Sequence, residues 1–124
     1  MRRGPVEARL PQDADCAGIA RRFVEEHVGG DVSDEALEDL KLIATELVEN
    51  AYVHGRGRIV LRLERRHDHV HVEVIDEGEG QAIKLRERAD TDLRGFGLLV
   101  VDQLCDAWGA HEGTTHVWAE LRLR

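Results

Sequence analysis

The stretch ELVENAYVHG, residues 46–55, closes the strongest helical pattern in this chain of 124 residues. Ser33 is a good N-cap residue, and from there apolar residues recur at helical spacing as far as His54. This apolar stripe consists of Leu37, Leu40, Ile43, Ala44, Leu47 and Ala51. Gly55 is expected to end the helix. The pattern therefore predicts one long helix over residues 33–54, with several polar side chains in its last two turns.

These polar side chains have different interpretations. Glu46 and Asn50 are four residues apart and so lie on the same face of the helix. Glu49 points away from that line and is expected to be solvated, and His54 favours the helix end by interacting with the helix dipole. On their own, a Glu and an Asn at this spacing are more typical of a solvated face. Other motifs must decide whether the pair has a function.

The rest of the chain alternates between strand and helix patterns. Strands are predicted over 6–12, 58–64, 69–74, 107–112 and 114–124, and two further helices over about 13–28 and 98–105. The order β-α-α-β-β-loop-α-β-β contains no regular βαβ alternation. It indicates an α+β two-layer sandwich, with the helices on one face of a mixed, mostly antiparallel sheet. The length fits a single domain over residues 1–124.

Composition excludes several classes of protein. Acidic residues outnumber basic ones 25 to 17, which gives a formal net charge of −8 and argues against nucleic acid as a direct partner. No apolar run approaches the length of a membrane span, and no leader pattern follows Met1. Cys16 and Cys105 lie far apart without CxxC spacing, as expected for buried or half-buried thiols. We therefore expect a soluble protein in a reducing cytoplasm.

The glycine and histidine motifs differ from well-known binding sites. GFGLLV (95–100) lacks the third glycine of a dinucleotide-binding loop, and the chain contains no GxxxxGK[ST] motif. DEGEG (76–80) lacks the later acidic ligands of an EF-hand. HDHVH (67–71) places three histidines on alternate positions, but zinc requires converging ligands and an open sheet face does not favour them.

Three stretches in fixed order carry a family resemblance: ELVENAYVHG, then VIDEGEG ending a strand, then RGFGLLVVDQL opening a helix. This order resembles the Bergerat-type ATP-binding fold of DNA gyrase, the histidine kinases and their relatives. The helix stretch GFGLLVVDQLCDAWG and the last strand THVWAEL are similar to the anti-sigma-factor serine/threonine kinases. The resemblance covers residues 7–123.

The resemblance implies ATP and Mg²⁺ as cofactors and a role for each matching residue. Asp76 would accept a hydrogen bond from the adenine amino group, Asn50 would bind Mg²⁺, and Glu46 would be the catalytic base. Further implied nucleotide contacts are Gly78, Gly80, Lys84, Arg94, Gly95, Gly97, Leu98 and Thr115. Residues 81–94 occupy the place of a lid over the phosphates. This lid is short and lacks a proline, which departs from the family pattern and argues against efficient closure.

Three functional hypotheses follow. The first is a serine/threonine kinase with an anti-sigma antagonist as substrate and a sigma factor as binding partner. The second is an ATP-gated protein that sequesters such a regulator without efficient catalysis. A detached histidine-kinase ATPase domain is a weaker third, because the chain has no phosphoacceptor helix.

The open face of the sheet is a candidate surface for a protein partner or a homodimer. If the alternating patterns pair as predicted, it carries Arg58, Arg62, His69, His71, Glu73, His116, Trp118 and Glu120. A tryptophan exposed among charges is typical of a contact surface. The alternative is that arginine stems half cover Trp118.

Overall fold

A computed structural model describes residues 4–78, 98–110 and 116–123. The elements in chain order are β1 (Val6–Leu10), α1 (Cys16–Val28), α2 (Asp34–His54), β2 (Ile59–Arg65), β3 (His69–Ile75), α3 (Leu98–Leu104), β4 (Ala107–Ala110) and β5 (Val117–Arg122). The type and the order of every element agree with the sequence prediction. Differences are confined to the ends of the elements.

The five strands form one sheet in the order β1-β2-β3-β5-β4. Within the described residues all pairings between these five strands are antiparallel, so the predicted mixed character of the sheet is absent from this part of the chain. The register places Leu61 opposite Val74, and Val72 opposite Ala119. Strand β3 lies at the centre of the sheet, between β2 and β5.

The helices cover one face of this sheet. Helix α2 packs against β2, β3 and β5 and lies between α1 and α3. The inner face of the sheet is apolar because the alternation puts Val70, Val72 and Val74 of β3 on one side, all of them buried. Leu47 and its neighbours on the α2 stripe are buried against these side chains. The predicted two-layer sandwich is confirmed.

The two long helices begin in different ways. Ser33 caps α2 as predicted, because its hydroxyl oxygen accepts a hydrogen bond from the Ala36 N–H at 3.1 Å. Helix α1 begins at Cys16 rather than near residue 13. The reason is local: the Asp13 carboxylate accepts a hydrogen bond from the Asp15 N–H at 2.8 Å, which forms a turn before the helix.

The outer face of the sheet carries the predicted mixture of charges and histidines. Arg62 bonds Glu7 at 2.8 Å and Glu73 at 3.3 Å, and Glu73 also contacts His116. Trp118 is half-buried and stacks on His71, with ring centroids 5.9 Å apart and planes inclined by 15°. A histidine ring therefore lies over part of Trp118.

The zinc interpretation of the HDHVH stretch gains no support. His67 lies in the turn between β2 and β3, and His69 Nδ1 lies 2.7 Å from the Asp68 carboxylate. Across the part of the chain that the structure describes, no group of three His, Cys, Asp or Glu side chains could hold a metal ion. Arg58 precedes β2 instead of lying on it.

Both cysteines are free thiols, with Cys16 buried and Cys105 half-buried, as predicted. Burial raises the pKa of the Cys105 thiol to about 11, and burial also raises the pKa of Cys16. Among the described helices, none has the length and apolar character needed to cross a membrane.

Candidate functional site

Four polar side chains are buried within the described residues, and two of them have a local explanation. The Thr45 hydroxyl donates to the Lys41 carbonyl oxygen at 2.7 Å, which is an ordinary contact within a helix. Glu73 belongs to the charge network on the sheet face. The other two are Asn50 and Asp76, which the sequence resemblance had selected independently.

Asn50 lies in the penultimate turn of α2 with only 6% of its surface exposed. Among the described residues its side-chain oxygen Oδ1 has no hydrogen-bond partner. Burying a polar atom without a partner costs free energy, so such an atom is a candidate ligand for something outside the protein. A neutral amide oxygen suits a hard cation such as Mg²⁺. The side chain fits the metal role that the resemblance implies.

Glu46 lies one turn before Asn50 and is half-buried. Burial, with a smaller contribution from the negative charge of Glu49, raises the pKa of the Glu46 carboxyl above its ordinary value. A carboxyl group whose pKa lies closer to neutral pH is a better general base. Glu49 itself is exposed, as predicted.

Asp76 directly follows β3 and is 9% exposed. Its Oδ1 accepts hydrogen bonds from the Gly78 N–H at 2.6 Å and from the Arg56 N–H at 3.4 Å. These donors fix the orientation of the carboxylate. A carboxylate held in this way can accept a hydrogen bond from one polar group of a ligand.

The sheet and helix layers bring these residues to one end of the domain. Strand β3 ends where α2 ends, and Asp76 lies against Gly55, the residue that follows the last helical residue His54. The family model for the histidine kinase-like ATPase domain matches residues 10–121 of the chain.

The chain belongs to the histidine kinase-like ATPase domain family. Comparison with curated proteins gives no match. Domains of this family bind ATP, usually together with Mg²⁺, so an ATP-binding regulatory role follows for the chain. The fold agrees with the membership, because the described residues form three helices on one face of a five-stranded antiparallel sheet.

Several predicted contacts of this histidine kinase-like ATPase domain lie outside the described residues. These are Gly80, Lys84, Arg94, Gly95, Gly97 and Thr115, together with the predicted lid over 81–94. Gly78 is described, and its N–H holds Asp76. Leu98 begins α3 and is fully buried in the core, and its nucleotide contact stays a prediction.

Sequence reasoning missed one part of the candidate site, the connection Gly55-Arg56-Gly57. The sequence pattern predicts Gly55 only as a helix terminator, yet it packs against the Asp76 carboxylate. The Glu77 N–H donates to the Arg56 carbonyl oxygen at 2.8 Å, which ties this connection to the end of β3. The signal that could have found it is the GRG spacing directly after ELVENAYVH.

Proposed function

We propose that the protein is a cytoplasmic, ATP- and Mg²⁺-dependent serine/threonine kinase of the anti-sigma-factor type. Its substrate would be an anti-sigma antagonist and its binding partner a sigma factor. The observation that carries this proposal is the stacking of Glu46 on Asn50, a carboxyl of raised pKa one turn from a buried amide oxygen. A protein that only binds nucleotide has no need of a base in this position.

The proposed reaction is a direct phosphoryl transfer. The hydroxyl oxygen of a substrate serine or threonine bonds to the γ-phosphorus of ATP, the bond from that phosphorus to the β–γ bridging oxygen breaks, and ADP leaves. Glu46 accepts the hydroxyl proton. Asn50 would hold Mg²⁺, which supplies positive charge to the phosphate oxygens, and Asp76 would orient the adenine.

The anti-sigma assignment rests on the sequence of α3 and β5. GFGLLVVDQLCDAWG and THVWAEL are similar to the stand-alone bacterial kinases of this type, and two free thiols are consistent with a reducing compartment. The second candidate is an ATP-gated protein that sequesters its partner without efficient catalysis. The short predicted lid without proline favours this alternative.

The variant Glu46→Gln separates the two functions. It keeps the shape of the side chain and removes the base, so phosphotransfer should fall at least ~100-fold while the ATP dissociation constant stays within about threefold. The assay incubates purified protein with Mg-ATP and the proteins that it retains from native cell extract, and maps phosphoserine and phosphothreonine by mass spectrometry.

Glu26→Gln is the charge-matched control, since Glu26 is an exposed helical glutamate on α1. It should leave both quantities unchanged. ATP-dependent retention of a partner without phosphorylation would favour the sequestering protein, and an absence of ATP binding in calorimetry would contradict both candidates.

A further inference from the structure

Gly55 is required at the end of α2 by space and not by backbone torsion. Its φ of −96° and ψ of −168° are extended values that any residue adopts. A Cβ atom at this position would lie closer to Asp76 Oδ2 and Cγ than real Cβ atoms approach other atoms. It would also lie 2.6 Å from the Ala51 carbonyl oxygen. The bare Cα of Gly55 is therefore part of the surface against which the Asp76 carboxylate rests.

The same carboxylate is fixed on its other sides by main-chain groups. Gly78 and Arg56 donate N–H bonds to Oδ1, and the bond from Glu77 N–H to the Arg56 carbonyl oxygen links the two segments. A methyl group at position 55 would push the Asp76 carboxylate away from these donors, in addition to disturbing the helix end at the Ala51 carbonyl oxygen. A displaced carboxylate would no longer lie where it can accept a hydrogen bond from a bound adenine.

We propose that Gly55 is a positioning residue that sets the preference of the site for adenine by holding the Asp76 carboxylate in place. This inference rests on the proposed function, in which Asp76 accepts a hydrogen bond from the adenine amino group. It adds a specificity determinant from the α2–β2 connection, a segment that itself need not contact the nucleotide.

The chain offers a matched control at the end of α1. Gly29 also ends a helix, its N–H bonds the Glu25 carbonyl oxygen at 3.0 Å, and a Cβ there would collide with that same oxygen. Gly55 repeats this arrangement with Ala51, at 2.9 Å. The two glycines differ in that only Gly55 has a carboxylate among the atoms that a Cβ would meet. Gly29→Ala therefore reproduces the helix-end part of the Gly55→Ala change.

The experiment measures the binding of ATP and of inosine triphosphate by calorimetry. Inosine carries a carbonyl oxygen where adenine carries its amino group, and a site built to accept a hydrogen bond rejects such an analogue. We expect the wild type to prefer ATP at least ~10-fold, Gly55→Ala to reduce this preference to less than about threefold, and Gly29→Ala to keep it. Preserved preference in a folded Gly55→Ala protein would overturn the inference alone. A wild type without preference would overturn the adenine contact of the proposed function, and the inference with it.

Thermal unfolding supplies a second, independent test if Gly55→Ala proves poorly folded. The substitution Asp76→Ala removes the collision between a Cβ at position 55 and the Asp76 carboxylate. Gly55→Ala should therefore lower Tm less in the Asp76→Ala background than in the wild type. An equal loss of Tm in both backgrounds would show that Gly55 does not act through Asp76.

Discussion

Helix α1 ends with His27-Val28-Gly29-Gly30 and helix α2 ends with His54-Gly55-Arg56-Gly57. Each end has a histidine in its last turn, a capping glycine bonded to the carbonyl four residues earlier, and a second glycine of positive φ, 92° at Gly30 and 70° at Gly57. By local sequence the two ends are nearly equivalent. Only the end of α2 contributes to the candidate ATP site.

The difference lies one and two turns before the capping glycine. Counting back from Gly29, α1 has Val24 and Ala20, both fully buried and apolar. Counting back equally far from Gly55, α2 has Asn50 and Glu46. A glycine that ends a helix is therefore no indication of a site by itself. The feature that indicates a site is a polar side chain at a helix position where core packing would favour an apolar one.

The largest effects are expected from substitutions at the matched positions Asn50 and Val24, where a polar residue is replaced by an apolar one and the reverse. Asn50→Ala should reduce Mg-ATP affinity by at least ~100-fold, because it removes the proposed metal ligand. The free energy of unfolding should change by less than about 1 kcal/mol, because a buried oxygen without a partner among the described residues is removed.

Val24→Asn should do the opposite. It buries an amide where α1 packs on the core, and should cost about 3 kcal/mol of the free energy of unfolding without any specific loss of ATP binding by the folded protein. Urea denaturation and calorimetry measure the two quantities. Normal Mg-ATP binding by Asn50→Ala would contradict the proposed role of Asn50 and, with it, the functional difference between the two helix ends.

The beginnings of the same two helices provide a smaller test. Ser33→Ala should lower the free energy of unfolding by about 1 kcal/mol, because the Ala36 N–H loses its side-chain acceptor. Asp15→Ala should change it by less than about 0.5 kcal/mol, because in the described structure the Asp15 side chain makes no capping hydrogen bond. Equal losses in urea denaturation would show that the two caps do not differ.

The smallest effect concerns pH and the environment of Glu46. Its pKa is higher in the folded state, so the folded state holds this proton more tightly and stability from this group is lost as pH rises through the folded pKa. Phosphotransfer should rise over the same window, as the base form appears. Glu49→Gln removes the second cause of the shift and should move the acidic limb of the pH–rate profile to lower pH. An unchanged or upward-shifted limb would contradict the assigned role of Glu46.

The sequence by itself determined the elements and their faces, since both follow from local periodicity. Alternation placed Val70, Val72 and Val74 on the inner face, and helical spacing alone stacked Glu46 on Asn50. The fold class and the family followed from these patterns together with the order of the glycine motifs. The start of α1 was placed too early because a side-chain turn at Asp13 competes with the helix.

The tertiary structure decided which of two similar helix ends faces the site. Gly55 and Asp76 are far apart in sequence, and they meet because α2 packs across the centre of the sheet where β3 ends. The burial of Asn50 and the raised pKa of Glu46 arise from the same packing. Local patterns encode which way a side chain points from its own element, whereas contact, burial and desolvation depend on what the rest of the chain places against it.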